Sequence, residues 1–268
     1  MKKYLLLTIM SALPFGVFAQ SDDFGTILSV EADKKITKPL HVGIEAEMRT
    51  RDDVKTVDRW SGGVSVSYKL FSWLKASAGY TLLYDNNEKI SYYNADDEVV
   101  TRDIGINVGD PKRSIDFWGV RHRFNVSLTG SHKFGNLSLS LRERWQYTYR
   151  PEHTVDYRYV YYDEEDDEPV PSGVSDGTPH TYKSKGKNLL RSRFMTEYKI
   201  SAIPLTPFAS VETFNAWNLE KIRYTVGGDW RINKKNTVTL FYRYQNVNDD
   251  SDMEPNRHSI GLSYKVKF

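Results

Sequence analysis

Arginine recurs at a spacing of two in three alternating segments. These are Arg121 and Arg123 in "GVRHRFNVSLTG", Arg142 and Arg144 in "LRERW", and Arg191 and Arg193 in "LRSRF". In an extended chain this spacing puts both side chains on one face of a strand. Each pair stands seven and nine residues from a strand end, at Gly130, Gly135 and Ile200 respectively. Three consecutive strands are therefore expected to bring six guanidinium groups to similar heights. Arg223 and Arg243 fall near this level on later strands, and Glu45, Glu47 and Glu212 are the carboxylates at similar depth, with Asp229 and Glu197 lower. Such a girdle can do two kinds of chemistry. Guanidinium forks pair bidentately with carboxylates and fill a narrow interior, and a ring of arginines around a passage attracts anions.

A second constellation has the opposite parity. If "SHKF" (131–134) is a four-residue turn, Gly130 pairs with Gly135 and His122 lands directly opposite Glu143. Directly opposed side chains interact. Ser192 shares their face at a similar height on the next strand. Ser, His and an acid are the parts of a serine hydrolase, but the histidine must stand between the other two. Here the acid would occupy the middle strand. His122 and Ser192 would then be roughly 9–10 Å apart, about two strand spacings, too far for a base and its nucleophile. A mutually satisfied or partner-covered His122–Glu143 pair is the simpler reading, with a lipid-face hydrolase as the alternative.

The remaining polar features are less specific. Asp163 to Glu168 form an unbroken acidic run without the glycine-punctuated spacing of a calcium loop, which reads as a solvated surface loop. Tyr157, Tyr159, Tyr161 and Tyr162 beside it suggest strands continuing beyond the membrane. The six histidines form no metal-ligand motif and no phosphate-binding loop is present, so no cofactor is expected. There is no cysteine for a lipid anchor or disulfide framework. A net charge of +2 gives no reason to expect nucleic acid as a partner.

The elements that must position these side chains are strands. "LHVGIEAEM" sets Leu40, Val42, Ile44, Ala46 and Met48 against His41, Gly43, Glu45 and Glu47, and "RHSIGLSYKVKF" alternates in the same way to Phe268. Eleven segments share this period: 24–33, 40–49, 59–70, 74–84, 117–130, 136–150, 188–200, 205–215, 220–232, 237–247 and 257–268. Short connections alternate with long ones at 50–58, 85–115, 151–187 and 248–256. Aromatic residues cluster near strand ends: Trp60, Tyr84, Trp118, Tyr149 and Tyr244 toward the long loops, and Tyr68, Tyr198, Trp230 and Phe268 toward the short turns. Mean hydropathy is −0.58, with 18 tyrosines. This is the plan of a single antiparallel transmembrane β-barrel of about 10–12 strands with short periplasmic turns and long extracellular loops. The apolar face meets lipid and the arginines point into the lumen. A water-soluble sandwich would need every polar face wet.

Residues 1–19, "MKKYLLLTIMSALPFGVFA", read as a cleaved signal peptide, leaving residues 20–268 as the barrel. Eleven strands conflict with the even number usual in bacterial single-chain barrels. Either a short strand escapes the pattern or segment 24–33 is not an ordinary wall strand.

Several segments in this order resemble a known family: "DFGTILSVEADKKI", "EAEMRT", "RHRFNVSL", "LRERWQY", "LRSRF", "PFASVETF", "KIRYTVGGDWRI" and "LFYRYQ". The set is similar to the domain of unknown function 2490 family of Gram-negative outer-membrane barrels. The resemblance implies fold and outer-membrane localisation but no activity. The final alternation resembles the C-terminal signature read by barrel assembly machinery. The expected function is a non-enzymatic scaffold or interaction barrel with an arginine–carboxylate lumen. The first alternative is a small anion-selective pore, and the second is a lipid-face hydrolase using His122 and Glu143. Expected partners are outer-membrane lipid, the assembly machinery acting on the strand that ends at Phe268, and an anion or surface ligand.

Overall fold

The alternation in the sequence becomes the inside and outside of a closed wall. The computed structural model describes residues 22–92, 111–162, 169–248 and 255–268. The leader expected over residues 1–19 and the acidic run 163–168 lie outside the described residues. The strands are β1 (Asp23–Lys35), β2 (Leu40–Arg51), β3 (Thr56–Lys69), β4 (Leu74–Tyr92), β5 (Pro111–Phe134), β6 (Leu137–Arg150), β7 (His153–Tyr162), β8 (Pro169–Tyr182), β9 (Lys185–Tyr198), β10 (Leu205–Asn215), β11 (Leu219–Arg231), β12 (Asn236–Val247) and β13 (Arg257–Lys267).

Eleven of these form the ring, in the order β4-β3-β2-β1-β13-β12-β11-β10-β9-β6-β5, closed by β4 on β5. They correspond to the eleven alternating segments of the sequence. The other two, β7 and β8, pair with each other, and β7 also pairs with the upper part of β5 at Arg113 and Ser114. This pair carries the β6–β9 hairpin beyond the ring, as the tyrosine-rich stretch suggested.

The odd number has a direct cause. β1 lies parallel to β13, from Asp23 opposite Arg257 to Asp33 opposite Lys267, and antiparallel to β2. Segment 24–33 is thus a full wall strand, and the ring closes on one parallel seam. Lumen-side ion pairs cross that seam at both ends, Arg257 to Asp23 at 2.6 Å and Lys265 to Glu31 at 2.8 Å.

The outer surface is apolar. Val30, Ile44, Val64, Val126, Leu141, Phe194, Leu240 and Ile260 are all exposed, whereas buried apolar residues are few: Ile27, Leu83, Ile115, Leu189 and Phe214. A water-soluble protein would reverse that distribution. A closed barrel leaves no unpaired wall edge for lipid to meet. The molecule is therefore an outer-membrane-type β-barrel. Aromatic side chains stand at the ends of the strands: Trp60 is in register with Tyr84, and the Tyr84 ring stacks on Trp118 at 4.8 Å.

One expected turn is replaced. β5 continues through "SHKF" to Phe134, and the chain reverses at Gly135 and Asn136, with Phe134 opposite Leu137. Gly135 takes φ +61°, the left-handed conformation a two-residue hairpin requires. This moves the β5–β6 register by six residues from the expected one.

Candidate functional site

The register decides which of the sequence's candidates meet. On β6 and β9, Arg142 stands opposite Arg193 and Arg144 opposite Arg191, as the residue count predicted. On β5 the six-residue shift sets Arg123 opposite Thr148, while Arg142 and Arg144 face Thr129 and Ser127. Across this hairpin the arginines are stepped rather than level.

Glu212 of β10 gathers the charges on one wall. Its neighbours in register are Arg193 on β9 and Arg223 on β11. Arg142 donates to Oε1 at 2.5 Å, Arg191 donates to Oε2 at 3.0 Å, and an Arg223 nitrogen lies 3.7 Å from Oε2. Arg191 also donates to Gln146 at 2.8 Å and Arg223 to Gln245 at 2.6 Å. The buried Phe214 ring lies under both guanidinium groups, 4.5 Å from that of Arg191 and 4.7 Å from that of Arg223. The facing wall carries Glu47, which accepts from Arg49 at 2.7 Å. Glu45 is exposed although it points inward, so solvent reaches the interior at its level.

Four girdle arginines differ from these. Among the described residues the buried Nε atoms of Arg142, Arg191 and Arg223 lack a hydrogen-bond partner just as those of Arg123, Arg144, Arg193 and Arg243 do, so the difference lies in the ion pairs. No carboxylate lies within ion-pair distance of these four side chains in the described set. Cations outnumber carboxylates toward the loop end as well. A cavity of about 440 Å³ there is lined by thirteen lysine and arginine side chains and four carboxylates.

Sequence reasoning missed several members of the site. Asp85, only 3 % exposed, bridges Arg59 and Arg121, with Arg121 donating to it at 2.6 Å. Lys187 pairs with the buried Glu220 at 2.7 Å. Asp85 sits where apolar alternation ends, in the stretch 85–115 read as a loop, whereas Glu220 opens the alternating segment 220–232. Asp85 continues the polar parity of β4, which was the available signal, while Glu220 has the opposite parity to Arg223 and is turned inward at the register shift beside Asn215.

The lipid-face constellation does not assemble. His122 stands opposite Tyr149 and Glu143 opposite Leu128. The two are separated by six residues of register, roughly 20 Å along the strands. His122 instead hydrogen-bonds the Tyr80 hydroxyl through Nδ1 at 2.8 Å. Ser192 and Glu143 are directly opposed, and the serine hydroxyl donates to the carboxylate at 2.6 Å. This is a serine–acid contact with no histidine between them. Among the described residues no group of three or more His, Asp or Glu side chains converges as metal ligands do.

A protein-family model described as "Protein of unknown function (DUF2490)" matches residues 24–256. No curated protein matches the sequence. Solved structures similar to the chain include the β domain of the Bordetella autotransporter BrkA. It is 10 % identical, with 86 % of this chain and 82 % of that one covered, at TM-score 0.49. The translocator domain of the autotransporter NalP from Neisseria meningitidis is 11 % identical, with 96 % and 91 % covered, at TM-score 0.45. A Pseudomonas aeruginosa FadL homologue is 12 % identical, with 79 % and 58 % covered, at TM-score 0.37.

Proposed function

The chain belongs to the DUF2490 family of proteins of unknown function, and from the geometry of its lumen we propose that it is a non-enzymatic outer-membrane barrel that admits and passes anions. The observation that carries this reading is the surplus of guanidinium over paired carboxylate: among the described residues Arg123, Arg144, Arg193 and Arg243, all half-buried, form no ion pair. A purely structural filling would be neutralised side chain by side chain, because a buried unpaired charge costs several kcal/mol, on the order of 3–5. Retaining four such charges is understandable where a mobile anion supplies the missing countercharge. Cations continue below the girdle, with Lys75 exposed toward the lumen near the short turns.

The reading extends to setting. A cleaved leader would export the chain, lipid would cover the apolar belt, and assembly machinery would engage β13 up to Phe268, which is 67 % exposed. A second reading, a closed scaffold, draws on the Glu212 cluster, which ties β6, β9, β10 and β11 together. Single-channel recording of refolded mature protein in a planar bilayer under a salt gradient separates them. Anion-selective openings whose preference falls in Arg123→Ala or Arg193→Ala are expected. A folded protein without conductance would favour the closed scaffold.

A further inference from the structure

We propose that the loop-end half of the lumen is a binding site for a small multivalent oxyanion bearing two or more phosphoryl groups. The inference deepens the anion reading of the same lumen and rests on it. The cavity of about 440 Å³ is the size of a small-molecule site. Ten arginines line it, and five of them come from five different strands around the ring: Arg49 on β2, Arg123 on β5, Arg191 on β9, Arg223 on β11 and Arg243 on β12. They act on one another across the lumen, Arg123 lying in the field of Arg49 and Arg191, and Arg223 in that of Arg243, Arg191 and Arg49.

The charges select the ligand class. Among the described residues only Glu47 and Glu212 pair with members of this group. Five guanidinium groups against two carboxylates leave a surplus that one chloride cannot offset. Arg191 and Arg223 are preorganised, each held by a glutamine amide oxygen and by the Phe214 ring between them. Such fixed donors bind without first giving up side-chain freedom. The arginines converge from several sides rather than from one plane. A tetrahedral phosphoryl group, with oxygens in several directions, suits that approach better than a planar carboxylate. The ring separates the site from the lipid side, which assigns it a soluble phosphate compound rather than a lipid headgroup.

The test uses full-length mature protein refolded in detergent, titrated with inorganic pyrophosphate and, separately, orthophosphate. Calorimetry and the unfolding temperature are the readouts. Pyrophosphate is expected to bind more tightly than orthophosphate, to raise the unfolding temperature, and to lose affinity as salt is added. Arg123→Met and Arg243→Met are each expected to weaken pyrophosphate roughly tenfold or more. Without ligand the same variants are expected to unfold at higher temperature than wild type, because each removes a buried cation without a carboxylate partner. Folded protein showing neither heat nor a thermal shift with pyrophosphate would overturn the proposal, as would binding that both variants retain in full. Anion-selective conductance without pyrophosphate binding would remove this site and leave the pore. Pyrophosphate binding without conductance would keep the site and remove the pore.

Discussion

At the residue scale the lumen depends most on Glu212. It is 5 % exposed and serves Arg142, Arg191 and Arg223 at once. Glu212→Gln keeps the shape and removes the carboxylate that these three cations share. Breaking a buried ion pair by deleting one partner costs about 3–5 kcal/mol, so equilibrium urea unfolding should show a loss of that size. Adding Arg142→Met should recover part of it, since one orphaned charge then leaves with its partner. A Glu212→Gln barrel as stable as wild type would mean the cluster is neutralised by other means. The residue types of this site were legible in the sequence, because parity alone places Glu212 with the arginines. Asp85 was not, because it stands where apolar alternation ends and a wall strand looks like a loop, and Glu220 was not, because the register shift beside Asn215 reverses its parity with Arg223.

At the scale of elements the wall was readable and one hairpin was not. Strands of period two announce themselves because lipid demands one apolar face and the lumen accepts a polar one. Register carries no such signature here. "SHKF" continues the alternation, so its Lys133 and Phe134 extend β5 as well as they would close a turn. The Gly135–Asn136 dipeptide, with Gly135 at positive φ, was the cue. That shift removes His122 from Glu143 and leaves the carboxylate on the lipid face with Ser192 as its donor. Exposed Leu128, Leu141, Trp145, Leu190 and Phe194 surround it. A charged group on that face destabilises the barrel in a depth-dependent way. Glu143→Leu should therefore stabilise the isolated protein by about 1–2 kcal/mol, as read by unfolding from lipid vesicles. Ser192→Ala alone should destabilise it by about 1 kcal/mol, since the carboxylate loses its donor. A destabilised Glu143→Leu protein would show that the carboxylate makes a favourable contact beyond Ser192.

At the scale of the whole molecule the odd strand number changes which end of the chain faces which side. In an even-stranded antiparallel barrel the first and last strands run oppositely, and both termini fall at the turn end. Here β1 runs alongside β13 in the same direction, with Leu28 opposite Leu262. Asp22 and Asp23 therefore stand at the loop end beside Arg257 and His258, while Phe268 stands at the turn end beside Asp33. In the sequence only the odd count of eleven segments points to this, because a parallel and an antiparallel neighbour place the same apolar face toward lipid. Two measurements follow from the topology. Cysteines at Leu28 and Val30 should cross-link through a short thiol reagent to partners placed at Leu262 and Tyr264 respectively, a rank order only a parallel register gives. With the long loops outward, as in other barrels of this type, Asp22→Cys should react on intact cells with a membrane-impermeant maleimide. Asp53→Cys in the β2–β3 loop should react as well, while Lys235→Cys in the β11–β12 turn should react only after lysis. Labelling of Asp22→Cys that tracks Lys235→Cys instead would mean that β1 enters the wall from the turn end. The eleven-stranded closure would then have to give way to an even-numbered one.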